Sequence, residues 1–279
     1  MKQRDIPEPN YEYDIQRLVT LYKRGIFDIL AELNRLDLTD MQRAQILATL
    51  KNVAEILRSI NEESAKWVDE VIPKVITDGI ASTIVALGVV ETAEEAQKII
   101  KFNKANKALT EAVISDTQTD LLAVTQNIER RVRTTIRQVS AESLRANYAK
   151  GINGRKAISR DILTGLREQL GKSVDTGIID AAGRRWKPEV YVDMLVRTKT
   201  TSAHMDATIN EALSREAYYG RISKHGATDA CRNYEGKIVK LVPDAPGPYE
   251  YIGSLRGGRL IFHPNCKHLV TPTRIPNGI

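Results

Sequence analysis

The chain has 279 residues, 42% of them apolar and 5% aromatic, enough for one large or two ordinary domains with a real core. Ala, Ile, Leu, Arg and Glu are abundant while aromatics are scarce, which favours packed helices over a sheet sandwich across most of the length. The net charge of +6 is uneven: residues 1–70 hold ten Lys/Arg and thirteen Asp/Glu, whereas residues 125–172 hold eleven against four.

The opening MKQRDIPEPNYEYD is polar and mixed in charge, unlike a secretory signal, so the protein is expected to be made and kept in a cytosol. In AQILATLKNVAEILRSI the apolar positions Ile46, Leu47, Leu50, Val53, Ile56, Leu57 and Ile60 recur at three and four, as an amphipathic helix requires. Thr39 with Gln42 forms a capping box before it. The most apolar stretch, Val71 to Val90, carries Lys74 and Asp78 and is too short between charges to cross a bilayer; it reads as a buried core helix. Gly88 to Val90 breaks it, and Thr92 with Glu95 caps the next helix.

The longest predicted helix includes LLAVTQNIERRVRTTIRQVSAESLRANYAKG. Leu121, Val124, Ile128, Val132, Ile136 and Val139 form one stripe, the arginines take other faces, and Gly151 ends it. This helix carries much of the basic block. One side can pack while the other faces a polyanion, an acidic partner or solvent.

In SVDTGIIDAAGRRW, residues 173–186, a β-branched run meets a Gly turn, the pattern of a small hairpin or extended arm. A bridging helix is predicted from Pro188 to Gly220, with Met205, Ile209, Leu213 and Ala217 on its buried face. Beyond it KIVKLV is strand-like, DAPGPYEYIGSLRGGR reads as a Gly/Pro-rich loop, and three prolines near the end interrupt any regular element. The fold expected is mainly α: an extended multi-helix part at 1–172, a hairpin or arm plus bridging helix at 173–222, and a small loop-rich α+β module at 223–279. Such a module has little core of its own and calls for a staple, which inside a cell is usually a metal.

Five of the six His and Cys residues lie within 44 positions: His225, Cys231, His263, Cys266 and His268. Their spacing suits two knuckles clamping one tetrahedral Zn²⁺ through thiolate and imidazole. A reducing compartment turns the two cysteines away from a disulfide and toward a metal or free thiols. The pattern is weaker than a double CxxC, because Tyr234 stands where a second cysteine would follow Cys231. With five candidates for four places, either His225 or His263 is spare. Two catalytic readings compete: a Cys/His nucleophile pair, and an HNH-like nuclease suggested by IFHPNCKH. The second needs a following helix, which Pro272 and Pro276 oppose. His204, on the bridging helix, reads as an exposed or capped polar residue.

The segments GRRWKPEVYVDMLVRTKTTSAHMDATINEA, SKHGATDACRNYEGKIVKL and HPNCKHLVTP, in this order and spacing, resemble the phage minor capsid protein 2 family. They also resemble the wider Mu F-like head morphogenesis group. The Gly183-Arg184-Arg185 turn, the Tyr191 to Thr198 helix, Glu235-Gly236-Lys237 and Asn265-Cys266-Lys267-His268 carry the likeness, which spans about residues 175 to 272.

The resemblance implies a non-enzymatic virion component associated with the portal vertex, located in the head interior or at that vertex. It would be assembled in the host bacterial cytoplasm and would aid head assembly, genome packaging or DNA ejection. Its implied partners are the portal protein, the major capsid protein or scaffold, and packaged double-stranded DNA bound without sequence preference. The basic patch for phosphate or carboxylate contacts would be Arg130, Arg131, Arg133, Arg137, Arg145, Lys150, Arg155, Lys156, Arg160 and Arg167. The family patterns point to His225, Cys231, Cys266 and His268 as zinc ligands, with His263 as the alternate. The competing function is a metal-dependent nuclease or other virion-delivered enzyme using the same cluster; a host zinc-containing DNA-binding protein lacks a helix after the ligands to enter a groove.

Overall fold

The computed structural model describes residues 8–35, 43–152, 154–175, 178–180, 183–258 and 260–274. Helix-forming sequence dominates them and becomes seven α-helices: α1 (Glu12–Asn34), α2 (Arg43–Ala86), α3 (Ala93–Ile99), α4 (Lys104–Ala149), α5 (Arg155–Asp175), α6 (Pro188–Ser214) and α7 (Ile252–Gly257). The protein is mainly helical, with a small strand-containing C-terminal part. No described helix is long and apolar enough to cross a membrane.

The chain folds into two compact units that share it discontinuously: Met1–Tyr13, Val68–Thr117 and Met194–Ile279 form one, Asp14–Trp67 and Gln118–Asp193 the other. The second unit is built on apolar stripes at helical spacing. The α4 stripe from Leu121 to Val139 is buried, as are Leu18, Tyr22 and Ile29 of α1 and Ile158, Ile162 and Leu166 of α5. Each such side chain stabilises by about 1.5–3 kcal/mol relative to exposure. On α2, Val53, Leu57 and Ile60 are buried, but Leu47 is 56% exposed and does not join that face. Two polar groups inside are paired: the Trp67 indole N–H donates to the Asp14 carbonyl at 2.7 Å and the Tyr22 hydroxyl to the Leu121 carbonyl at 3.4 Å. Burial pushes the Tyr22 phenol up to about 12.

The expected hairpin is present in this unit. β1 (Ile178–Ile179) pairs antiparallel with β2 (Arg185–Trp186) around Gly183, which takes the left-handed φ of 78°. Asp180 closes it by accepting from the Arg184 backbone, the Arg184 guanidinium and the Trp186 indole, contacts led by the indole that hold its carboxyl at about 2.

Local stop signals act as read from the sequence. Gly88 and Gly151 both have φ near +70°, and each follows its helix with the paired backbone bonds of a Schellman end: Val89 N–H to Ile84 O with Gly88 N–H to Val85 O, and Ile152 N–H to Asn147 O with Gly151 N–H to Tyr148 O. Thr92 and Glu95 make the reciprocal capping box on α3. The box expected at Thr39 and Gln42 lies outside the described residues.

In the first unit α2 and α6 approach closely through small residues. A Cβ on Gly79 would stand 2.5 Å from the His204 carbonyl oxygen, so only glycine fits. The Thr83 hydroxyl lies 2.9 Å from the Gly79 carbonyl and 3.2 Å from the Thr208 carbonyl. His204 is not the exposed or capped residue expected: it is 4% exposed, its Nδ1 is 2.9 Å from the Tyr11 hydroxyl, and the Val75 carbonyl also meets the ring. Burial lowers its pKa to about 4.

Helix α6 stops at Ser214 rather than Gly220. Glu216 takes the left-handed conformation at φ 59°, with Ala217 N–H to Ala212 O and Glu216 N–H to Leu213 O completing the end. Gly220 lies instead inside β3 (Tyr219–Ile222), where a Cβ would meet Val270 at 2.1 Å.

That strand is central in a four-stranded sheet of order β5-β4-β3-β6, with β4 (Ile238–Lys240), β5 (Glu250–Tyr251) and β6 (Val270–Thr273). β3 is antiparallel to β4 and β6, and β4 is parallel to β5. Two sequence expectations are corrected here. The Gly/Pro-rich stretch holds β5 and α7, because Ile252 and Leu255, one turn apart, both reach the core. Pro272 lies within a strand, tolerated because β6 is an edge.

Gly79→Ala is expected to cost about 1–3 kcal/mol in chemical denaturation, because backbone rather than a flexible side chain blocks the new methyl group. The His204 shift gives a signed pH effect. Below its ordinary value of 6.5 the unfolded chain takes up a proton that the folded chain refuses until about pH 4, so stability falls on acidification through that window, by at most about 3 kcal/mol from this group. His204→Leu is expected to flatten that part of the stability profile.

Candidate metal centre

Two loops beside the β3–β6 pair carry the cluster. The first leaves β3 and runs into a 3₁₀ turn, Ala230–Tyr234, whose N-cap Asp229 accepts from the Cys231 N–H at 3.0 Å. Glu235, just after it, fastens the loop: its Oε1 accepts the backbone N–H of His225 at 3.1 Å and of Ala227 at 2.9 Å. These contacts, led by Ala227, hold its carboxyl at about 2, so it is ionised at neutral pH.

The second loop is the HPNC stretch. Cys266 N–H donates to the His263 carbonyl at 2.9 Å, Pro264 occupies the first central position and Asn265 the second at φ 65°, the pattern of a type II turn. The two loops are joined at their base, where Ser223 N–H donates to the Leu269 carbonyl and Leu269 N–H to the Ser223 hydroxyl.

This arrangement brings Cys231, Cys266 and His268 together, all buried, with their ligand atoms within 4.8 Å of one another. The sulfurs are 4.0 Å apart, and Cys266 Sγ is 3.3 Å from His268 Nδ1. His263 Nε2 is 3.0 Å from Cys231 Sγ and 3.4 Å from an Asp229 carboxylate oxygen. His225 is exposed; its ring lies against that of His268, centroids 4.1 Å apart, on the side of Glu235. The pocket bounded by these residues measures about 290 Å³.

Ligands at the corners of a tetrahedron around Zn²⁺, with Zn–S about 2.3 Å and Zn–N about 2.0 Å, stand roughly 3.8 Å apart for two sulfurs and roughly 3.5 Å for sulfur and nitrogen. The 4.0 Å between the sulfurs and the 3.3 Å from Cys266 to His268 lie close to those edges, so these three residues fit a zinc-sized cation with mixed sulfur and nitrogen ligands, whereas His263 groups with Cys231 and Asp229. Both cysteines are free thiols. Burial, and then the neighbouring Cys266, push the Cys231 thiol up to about 12. That is the opposite of an activated nucleophile, whereas a coordinated cation would deprotonate it. Burial also lowers His268, keeping it neutral and able to ligate. The nuclease reading gains nothing here, since the strand β6, rather than a ligand-presenting helix, begins two residues after His268.

Of the residues in the expected basic patch, Arg130, Arg133, Arg137, Arg145, Lys150 and Arg160 are exposed. Arg133 is paired with Glu129 at 2.7 Å and Arg131 is bonded to Asn127. The side chains of Arg155, Lys156 and Arg167 lie outside those described. At 100° per residue, Arg130, Arg133, Arg137 and Arg145 fall within about 120° of arc on α4, opposite the buried Leu121–Val139 stripe. Exposed Tyr148 continues that face.

Sequence reasoning missed Glu235 as a member of the cluster and the turn that aims His263. The Pro-Asn pair inside HPNC was the available signal for the turn. No curated protein and no solved structure matches the chain. The family model described as phage minor capsid protein 2 matches residues 11–275, nearly the whole chain. The chain belongs to the phage minor capsid protein 2 family.

Proposed function

We propose that this minor capsid protein works at the portal vertex of the phage head, during head assembly and genome packaging or delivery, as a structural component rather than an enzyme. The observation that carries this reading is the exposed arginine row of α4, opposite a fully buried stripe. Arg130, Arg137 and Arg145 have no carboxylate partner among the described residues, so their charge is available to a polyanion. Residues 130 to 145 cover about 22 Å of helix, long enough to meet several phosphates of one duplex. Inside a phage head the abundant polyanion is packaged double-stranded DNA, and contact through phosphates needs no base sequence. The portal and other head proteins are the protein partners proposed.

The C-terminal module is proposed to be held by one structural Zn²⁺. Cys231, Cys266 and His268 supply three ligands and a further histidine the fourth; bound there, the ion fastens the 225–235 loop to the 263–268 turn. The fit of the Cys231–Cys266 and Cys266–His268 separations to tetrahedral edges supports this.

Two measurements test the reading. Purified protein is expected to carry about one zinc per chain by atomic emission, and chelation is expected to lower the melting temperature of the wild type. A metal-free wild type of equal stability sinks the staple. For the arginine row, binding to unrelated DNA duplexes of equal length is expected to be equal and steeply salt-dependent. Replacing Arg130, Arg137 and Arg145 by Ala should make the log K against log salt slope shallower by about 2–3. No binding at low salt would assign the row to an acidic protein surface such as the portal.

A further inference from the structure

We infer that Cys231 and Cys266 form a redox-sensitive staple: a small-molecule disulfide oxidises the pair to an internal disulfide, which then holds the two loops in place of a metal. The exchange for zinc rests on the metal reading above; the disulfide itself does not.

The chain has two cysteines, so a single internal pairing exists. Their sulfurs are 4.0 Å apart, close to van der Waals contact, and a bond needs an approach to about 2.05 Å. Proximity is built into the fold. The β3–β6 ladder and the Ser223–Leu269 bonds hold the two loops together at their base, so much of the cost of closing a long loop is already met. The tips are irregular: Cys231 lies in the 3₁₀ turn, and Cys266 follows Asn265 at φ 65°. Neither cysteine belongs to a strand, so drawing the sulfurs together breaks no ladder pairing.

Access is selective. Cys266 is 9% exposed and Cys231 1%, and both line the pocket. A small oxidant entering the pocket therefore meets Cys266 first, while burial keeps the thiols of another copy of the chain away from both sulfurs.

The step is thiol–disulfide exchange. The Cys266 sulfur displaces one half of the small disulfide, giving a mixed disulfide and one small thiol that takes up the Cys266 proton. The Cys231 sulfur then displaces the other half, and its proton goes to the second small thiol. Two protein sulfurs are oxidised, and one disulfide is reduced to two thiols. With zinc bound, the same exchange yields the internal disulfide, free Zn²⁺ and two small thiolates. A minor capsid protein passes from a reducing cell to a particle outside it, so its thiols meet both conditions.

The test treats the full chain, zinc-loaded and zinc-stripped, with bis(2-hydroxyethyl) disulfide and reads intact mass, free thiols after denaturation, and released zinc. Both thiols are expected to disappear, the mass to fall by two hydrogen atoms, and the chain to stay monomeric on a non-reducing gel. Zinc-loaded protein should release one Zn²⁺ per disulfide formed. In a mercaptoethanol redox buffer, the folded zinc-stripped chain should keep its disulfide against a reducing ratio more than about tenfold higher than the chain unfolded in guanidinium. Unreacted thiols, lasting mixed adducts, disulfide-linked dimers, or equal stability of the bond in folded and unfolded chains would overturn the proposal. An internal disulfide formed in a protein that binds no zinc would sink the metal reading and leave the disulfide standing. Bound zinc with no disulfide would do the reverse.

Discussion

Two thiols buried side by side are the constraint on which the C-terminal module depends. Cys231 and Cys266 sit in one apolar cluster with Ile222, Val239, Leu255 and Val270, their sulfurs 4.0 Å apart. As neutral thiols they behave as small hydrophobic groups, while as thiolates they require a positive charge between them. The loops that carry them are irregular and include Phe262 and Asn265 at positive φ, so they hold little repetitive hydrogen bonding of their own. Cohesion comes in two layers: the β3–β6 ladder sets the loops side by side, and the sulfur–imidazole cluster ties their tips.

The ionised Glu235 links those layers. One carboxylate oxygen satisfies two loop N–H groups and faces His268, so the backbone of the first loop and the imidazole of the second share an acceptor. Charge is distributed accordingly around the pocket. Asp229 and Glu235 both have lowered pKa values, chiefly through backbone N–H donors, and flank the thiols from opposite ends of the 3₁₀ turn. A divalent cation in such surroundings meets both thiolates and nearby carboxylate charge, which favours its retention. The helical part follows a simpler rule: burying one stripe of α4 leaves the opposite face to water, and in this sequence arginines occupy it.

Elements set by local chemistry were legible in the sequence. The Thr92–Glu95 box, the ends at Gly88 and Gly151, the α4 stripe and the hairpin around Gly183 all depend on a few neighbouring residues. What escaped depends on context. Glu216 takes a left-handed conformation where glycine would be the expected signal, so the end of α6 was misplaced. His204 reads as polar and exposed until Gly79 and Tyr11 close over it from distant parts of the chain. The interleaving of the two units has no local signature, because it arises from long helices, α2 and α4, that each contribute residues to both. At the candidate site, residue type alone singled out the five His and Cys residues. Spacing could not choose between His225 and His263, because which of them stands near the thiols depends on how the two loops fold against each other.

The central claim is that the sulfur–imidazole cluster is a mixed-ligand zinc site, and zinc-edge X-ray absorption on the purified chain tests it most directly. The account predicts two sulfur neighbours at about 2.3 Å and two nitrogen neighbours at about 2.0 Å, with the outer-ring scattering of two imidazoles. A first shell of oxygen and nitrogen alone, or one with a single sulfur, would contradict it.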